Sequence, residues 1–379
     1  MKYLKILFLV NTKSGINTYK RAISFAEYIQ TNSSIEVTFL YRKNDVFRDF
    51  FNFTKQILRN RFSLVHVFEP YLPTFPFLIF LLRLKGVRII YDSGDIHYFT
   101  AIISKGRYLL QVFDKVMELI AYNISNNIIV RGGSARQVIK DTYGIPLNKI
   151  VWIPDGVDLT KFNTGNSLKC KSDLSLTDNF VIGYASSIRK LKIGSMDSGR
   201  GWEILEVAKM MIDSGRSNIK ILVVGDGPGL TLLKERSKLY GLNDKVLFTG
   251  YVSEEKYPIY IKSMDVGFYE SINHPAYAVM MPTKLVEYMA SSLAIIAGNM
   301  GEAKRTFNNN GVLFTPLEPD LSNLSSYLSE IFVACCRLYD DPKLAREMGN
   351  RSRQVAFQYY DWTKINQSYL FFLRDTEKR

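Results

Sequence analysis

Apolar runs of strand length alternate with longer segments of helical period along the whole chain. From the N-terminus they read LKILFLV, NTYKRAISFAEYIQ, EVTFLY, FRDFFNFTKQILRN, LVHVF, FPFLIFLLRLKG, VRIIYD, YLLQVFDKVMELIAYN, NIIV, GSARQVIKDTYG and KIVWIP. Strands that are apolar throughout and separated by helices predict a parallel sheet covered on both faces. The turn-rich PDGVDLTKF (Pro154 to Phe162) interrupts the pattern, and the polar NTGNSLKCKSDLSLTDN after it reads as a domain linker. The alternation restarts with FVIGYASS, GWEILEVAKMMIDSG, IKILVVGDG, GLTLLKERSKLYG, KVLFTG, EEKYPIYIKS, DVGFY, a short helix opened by Pro282, LAIIAG and GVLFTP. The expected fold is α/β: two doubly wound domains, residues 1–165 and 166–355, facing each other across a cleft. Ligand is expected at the carboxyl ends of the strands.

A chain of 379 residues, 47% hydrophobic and 22% charged, suits two such domains and sets aside disordered and fibrous classes. Cys170, Cys335 and Cys336 offer no disulfide framework, two of them being neighbours on an expected helix, which fits a reducing, cytoplasmic setting. The opening MKYLKILFLVNTKSG lacks a small-residue cleavage site and reads as a buried strand rather than a signal peptide. The most apolar stretch, PYLPTFPFLIFLL, is broken by prolines and stops at Arg83, short of the roughly 20 residues a membrane span needs.

A net charge of +13 predicts an anionic partner: a phosphorylated small molecule, an acidic membrane surface or nucleic acid. Zinc-ligand spacing, an aromatic RNA-binding strand and a dense basic tail are all missing, which argues against nucleic acid. His66, His97 and His274 are far apart with no HxxxH or CxxC partner, so no metal is expected.

Several short motifs carry candidate chemistry. VVGDGPG (Val223 to Gly229) ends a strand and opens a helix, and Gly225 and Gly227 would let backbone amides approach phosphate; a tight strand-to-helix turn explains the glycines equally well. Gly15, in NTKSGINTYKR, has the same two readings at the first strand. SSIRKLKIGSMDSGRGWEIL inserts a basic loop, with Arg189, Lys190, Lys192 and Arg200 placed to neutralise a diphosphate, or else a solvated loop. MPTKLVEYMASS places Glu287 about a turn and a half beyond Pro282, with Lys284 as its i, i+3 neighbour. That carboxylate either pairs with Lys284 or accepts the hydroxyls of a ribose.

The run PTKLVEYMASSLAIIAG resembles the donor-site motif of the retaining GT-B glycosyltransferases of family 4. VHVFEP, RIIYDSGD, VWIPDGVDLTKF, the segment from ILVVGDGPG to SMDV, and YYDWTK resemble the family's segments in the same order, over nearly the whole chain. The resemblance implies two Rossmann-like domains and transfer from a nucleotide-diphosphate sugar, a substrate, with retention and without cofactor or metal. The acceptor would be a glycan or lipid-linked hydroxyl, in polysaccharide or glycoconjugate biosynthesis. Glu287 would hold the ribose, and the backbone of Pro282, Thr283, Lys284 and Leu285 the phosphates. Arg189, Arg200, Gly15, Gly225, Gly227 and Val252 complete the implied donor set, with His97 and Arg200 as catalytic candidates. A C-terminal helix, 356–379, would cross back to the first domain.

The chain departs from the family pattern in places. Val279 stands where the first glutamate of the family's pair belongs, and Gly94 where its N-terminal histidine belongs, followed by Asp95 with His97 nearby. Arg200-Gly201 stands for a Lys-Gly phosphate clamp. Glu270 and His274 precede Pro282 and are candidates to read the donor sugar; His66, at a strand end, reads as a core residue. A catalytically degenerate GT-B subunit and a nucleotide-sugar 2-epimerase are the alternatives, while an NAD oxidoreductase lacks GxGxxG. The basic, aromatic FRDFFNFTKQILRNRF and LPTFPFLIFLLRLKG fit either helix packing or an anionic membrane surface, which would put the protein at the inner face of the membrane.

Overall fold

The computed structural model describes residues 4–43, 45–69, 75–102, 108–163, 167–193, 195–270, 278–280, 282–298, 301–307, 311–315 and 324–378. The chain divides into two compact units, residues 1–155 with 275–281 and 362–379, and residues 156–274 with 282–361. Each carries a six-stranded, wholly parallel sheet.

In the first unit the strands β1 (Lys5–Val10), β2 (Glu36–Tyr41), β3 (Leu64–Phe68), β4 (Arg88–Ser93), β5 (Asn127–Val130) and β6 (Ile150–Trp152) lie in the order β2-β1-β3-β4-β5-β6. Alternate residues of each strand feed opposite faces, as the two-residue period of a pleated strand requires. Leu7, Leu9, Val65, Val67, Ile89 and Tyr91 pack with Phe53 and Ile57 of α2 (Val46–Arg59), Leu78 and Leu82 of α3 (Phe75–Leu84) and Tyr122 of α5 (Tyr108–Ile124). Ile6, Phe8, Val10, Phe68 and Ile90 pack instead with Ala22, Phe25 and Ile29 of α1 (Asn17–Asn32) and with Ile365, Tyr369 and Leu373 of the C-terminal helix Trp362–Lys378. The short α4 (His97–Ile102) and α6 (Ser134–Tyr143) also belong to this unit.

In the second unit the order is β11-β10-β7-β12-β13-β14, with β7 (Phe180–Ala185) beside both β10 (Ile219–Val224) and β12 (Val266–Tyr269). The chain therefore reverses its direction of travel at β7, and the carboxyl ends of β7 and β12 lie where a doubly wound sheet places its ligand. The outer strands are β11 (Val246–Phe248), β13 (Ala294–Gly298) and β14 (Val312–Thr315).

Two expectations are corrected here. The basic segment after β7 is not a free loop: Lys190–Ile193 (β8) and Met196–Gly199 (β9) pair as an antiparallel hairpin, because alternating Leu191 and Ile193 pack on the core of this unit. The polar stretch read as a linker belongs to the second unit, which starts at Gly156 and carries α7 (Leu159–Asn163) and α8 (Ser167–Asp173) there. Lys171 of α8 is buried with its ammonium 2.5 Å from Asp265 and 2.9 Å from the Asn179 carbonyl, and those partners fix a helix that composition alone marks as loop. The remaining helices are α9 (Glu203–Asp213), α10 (Leu230–Leu239), α11 (Tyr257–Lys262), α12 (Thr283–Ala290), α13 (Gly301–Phe307), α14 (Leu324–Asp340) and α15 (Pro342–Tyr359). Cys335 and Cys336 lie buried and free on α14. No helix among the described residues is long and apolar enough to cross a membrane.

Candidate active site

Tyr288 positions the carboxylate of interest. Its ring packs where Gly267 has no side chain, since a Cβ there would come within 2.5 Å of the ring. Its hydroxyl accepts the Ala185 amide at 2.8 Å and donates to the Phe268 carbonyl at 3.4 Å. These two bonds tie α12 to the carboxyl ends of β7 and β12. One residue earlier on the same helix, Glu287 Oε2 accepts from Tyr257 Oη at 2.8 Å and from Lys284 Nζ at 2.9 Å. The Lys284 ammonium also lies 4.5 Å from the centre of the Tyr257 ring. All of this converges on one oxygen; Oε1 accepts no hydrogen bond among the described residues, and the side chain is 23% exposed. The i, i+3 pair with Lys284 is thus formed, and it leaves half of the carboxylate open to a ligand.

Among the described residues no side chain caps α12 at Pro282. The Leu285 amide is taken up by the Pro282 carbonyl at 3.0 Å, so of the amides expected to face phosphate those of Thr283 and Lys284 have no partner among the described residues. Unsatisfied amides at a helix start form an anion site.

Arg200 follows β9, its amide donating to the Arg189 carbonyl at 2.9 Å, and its guanidinium pairs with Glu270 just beyond β12. Both side chains are largely buried, whereas Arg189 is exposed. Burial first, then the charges of Glu270 and Glu287, raise the Tyr288 phenol, so both carboxylates lie within electrostatic reach of one ring. Glu270 is thereby engaged with Arg200, and His274 lies outside the described residues. Gly201 sits at φ +86°, and a Cβ there would meet the buried Tyr184 ring, which explains the glycine after Arg200.

The VGDGPG glycines have a packing reason of their own. A Cβ on Gly225 would overlap the Ser186 carbonyl, and one on Gly227 or Gly229 would lie 2.5 Å from the Ile188 or Arg189 carbonyl. The amides of Gly225, Gly227 and Gly229 are bonded to Gly250 O, Asp226 Oδ1 and Ile188 O at 3.1, 2.7 and 2.8 Å. Two backbones cross here without side chains, and these amides already have protein partners. Val252 is half-buried in the loop before α11. Gly15, exposed after β1 in the first unit, has φ +87° and open space around it, the geometry of a turn.

The first unit holds a buried ionic cluster that the sequence reading missed, at the carboxyl ends of its strands. Arg21 is fully buried and donates to Asp92 at 2.9 Å, Asp155 at 3.0 Å and the carbonyls of Ile153 and Pro154 at 2.8 and 2.7 Å. Arg131 reaches Glu69 at 2.9 Å, Asp92 at 3.4 Å, Asp155 at 3.6 Å and Thr18 at 3.1 Å. Burial alone would raise the Asp92 carboxyl, but Arg21 and Arg131 overcome it and hold it well below the usual range. His66 is buried with Nδ1 2.6 Å from the Tyr369 hydroxyl, and desolvation lowers its pKa. His97 opens α4, and its amide and that of Tyr98 are capped by buried Glu118 at 2.7 and 3.2 Å. Val279 is buried in the apolar cluster of this unit. Only spacing at strand ends (Glu69, Asp92, Arg131, Asp155) could have signalled the cluster.

Family comparison accounts for this pairing of units. The model described as Glycosyltransferase Family 4 matches residues 18–161 and that described as Glycosyl transferases group 1 matches residues 203–355, together well over half the chain. The chain belongs to glycosyltransferase family 4. A relative of this family member, the capsular polysaccharide biosynthesis glycosyltransferase CapM of Staphylococcus aureus, is 24% identical over 275 residues, 69% of this chain and 66% of CapM. The alpha-monoglucosyldiacylglycerol synthase of Streptococcus pneumoniae is 26% identical over 145 residues, 37% of this chain and 31% of the synthase. The chain thus spans less than two thirds of these relatives' lengths. The fold is GT-B: the Anabaena HepE structure in complex with UDP has a TM-score of 0.74 at 15% identity, covering 98% of this chain and 100% of HepE, and the HepE complex with UDP-glucose has a TM-score of 0.73.

Proposed function

We propose that this family 4 member is a glycosyltransferase that moves a sugar from a nucleotide-diphosphate sugar to a hydroxyl acceptor, retaining the anomeric configuration and requiring no metal. The observation that carries this reading is Glu287: a carboxylate tied by Lys284 and Tyr257 through one oxygen, with the other open, beside the uncapped start of α12. Its open oxygen suits a ribose hydroxyl, and the Thr283 and Lys284 amides suit the diphosphate. Arg200, oriented by Glu270, adds positive charge for the departing diphosphate. Stabilising that leaving group by fixed donors in a partly dry site is the main source of rate. The acceptor proton passes to a phosphate oxygen of the leaving group as the new bond forms. The UDP and UDP-glucose held by HepE make uridine nucleotides the first donors to test.

Calorimetry with a panel of nucleotide sugars and nucleoside diphosphates tests this. One donor should bind, with Glu287→Ala and Arg200→Ala each weakening it at least tenfold, about 1.4 kcal/mol. No binding by any nucleotide would overturn the reading in favour of a degenerate subunit.

A lipid-linked acceptor at an anionic membrane is favoured by the outer face of the first unit. Along α5, Leu109, Val112, Phe113, Val116, Leu119 and Ile120 form an exposed apolar stripe, Leu109 being 83% exposed, while the carboxylate of Glu118 points inward. On α2, Phe47, Phe51 and Leu58 form a second such stripe, at 71%, 69% and 58% exposure, and Phe77, Phe80 and Leu84 form a third on α3. Phe50 and Phe77 touch across α2 and α3, and exposed Arg48, Lys55, Arg59, Arg61, Arg83 and Lys85 border the stripes. Apolar stripes rimmed by cations suit an anionic bilayer. The name of one relative, the alpha-monoglucosyldiacylglycerol synthase, supports a lipid acceptor.

A further inference from the structure

Glu69 differs from the rest of the ionic cluster in the first unit. Arg21 and Arg131 are already balanced by Asp92 and Asp155, so the cluster is neutral without it. His66 adds no charge, being buried and shifted toward its neutral form. Glu69 is therefore a surplus carboxylate, and it is the most exposed member, at 27% against 9% for Arg131 and none for Asp92.

Its backbone is also unusual. Glu69 follows the last residue of β3 at φ +43°, a left-handed conformation that a side chain with a Cβ rarely adopts. Such outliers gather at functional sites, where the surrounding structure enforces them. Its amide donates to the Asp92 carbonyl at 3.2 Å, and Oε1 rests on Arg131 Nη2 at 2.9 Å.

Gly94 leaves the room for that pair. A Cβ there would overlap Glu69 Oε1 and lie 2.9 Å from Arg131 Cζ, yet Gly94 is not in a left-handed conformation. Space rather than backbone conformation calls for the glycine. Arg131 cannot yield, being fixed by Asp92, Asp155 and Thr18. Asp95 lies near enough to feel both Glu69 and His97, so these groups share one end of the sheet, the end where doubly wound folds bind ligands.

We propose that Glu69, braced by Arg131 in the space left by Gly94, is an acceptor-binding residue that accepts a hydrogen bond from a sugar hydroxyl; this rests on the transfer reading above. A carboxylate so placed, with Asp95 beside it, selects a neutral hydroxyl and repels phosphate at that point of the acceptor.

Saturation-transfer NMR of the full chain with the methyl glycosides of glucose, galactose, mannose and N-acetylglucosamine tests this, alongside calorimetry with UDP. One glycoside should bind the wild type, and Glu69→Ala and Gly94→Ala should each weaken it at least tenfold, with Glu69→Gln intermediate and UDP affinity unchanged throughout. Glycoside affinity that is indifferent to these substitutions, or no glycoside binding, overturns the proposal. Glycoside binding that depends on Glu69 in a protein blind to every nucleotide supports the sugar site and overturns the donor reading instead.

Discussion

Glu118 and Glu287 are both glutamates beside helix starts, and their surroundings give them opposite uses. Glu118 is wholly buried, caps α4 with both oxygens and bonds the Tyr143 hydroxyl; burial raises its pKa and nothing of it faces a ligand. Glu287 keeps one oxygen open. Tyr257→Phe removes one of the two groups that aim Glu287 and is expected to weaken nucleotide binding about threefold to tenfold, less than Glu287→Ala, by calorimetry. His66 carries a pH prediction. Its folded-state pKa lies below 6.5 because of burial, so the unfolded chain binds more protons as pH falls past that value. Its contribution to stability is complete above pH 6.5 and declines toward the lowered pKa. Melting temperature should therefore fall between pH 7.5 and 5.5, and His66→Gln should flatten that part of the slope even if it lowers stability overall. PTKLVEYMA made Glu287 legible in the sequence, whereas Tyr257 was not, since a partner 30 residues away leaves no local pattern.

Among the elements, α12 carries the candidate carboxylate, and the VGDGPG turn lets two backbones cross beside β7. Tyr288→Phe leaves the buried Ala185 amide without its acceptor and is expected to cost about 1–3 kcal/mol of stability in denaturant unfolding. It should also weaken nucleotide binding, because the same bond holds the helix that carries Glu287. Gly225→Ala places a methyl on the Ser186 carbonyl at φ +135°, and a loss of at least about 2 kcal/mol is expected. The hairpin β8–β9 shows why composition does not give element type here: SSIRKLKIGSMDSG is rich in turn residues, and only the packing of Leu191 and Ile193 on the core converts it to strands. The parallel strands themselves were plain from their continuous apolar runs.

At the scale of the molecule, the positive charge and the three exposed apolar stripes predict one behaviour. The protein should co-sediment with phosphatidylglycerol vesicles at low salt and be released as salt screens the arginines and lysines. Leu109→Ser with Phe113→Ser should weaken binding without altering UDP affinity, and no binding at low salt would remove the membrane reading. Family membership was legible at this scale because the motifs recur in order along the chain, while the Asp155–Gly156 boundary was not, since a polar stretch such as NTGNSLKCKSDL reads as linker until the partners of Lys171 are known.

The sequence by itself determined two parallel α/β sheets, their strands and the helix opened by Pro282, since these follow from local periodicity and from motifs read in order. Only the tertiary structure decided which amides remain open, that Arg200 leans on Glu270, and that Arg21, Arg131, Asp92, Asp155 and Glu69 meet at one sheet end. Those groups are up to 134 residues apart, and their partnership exists only once the strands that carry them are side by side.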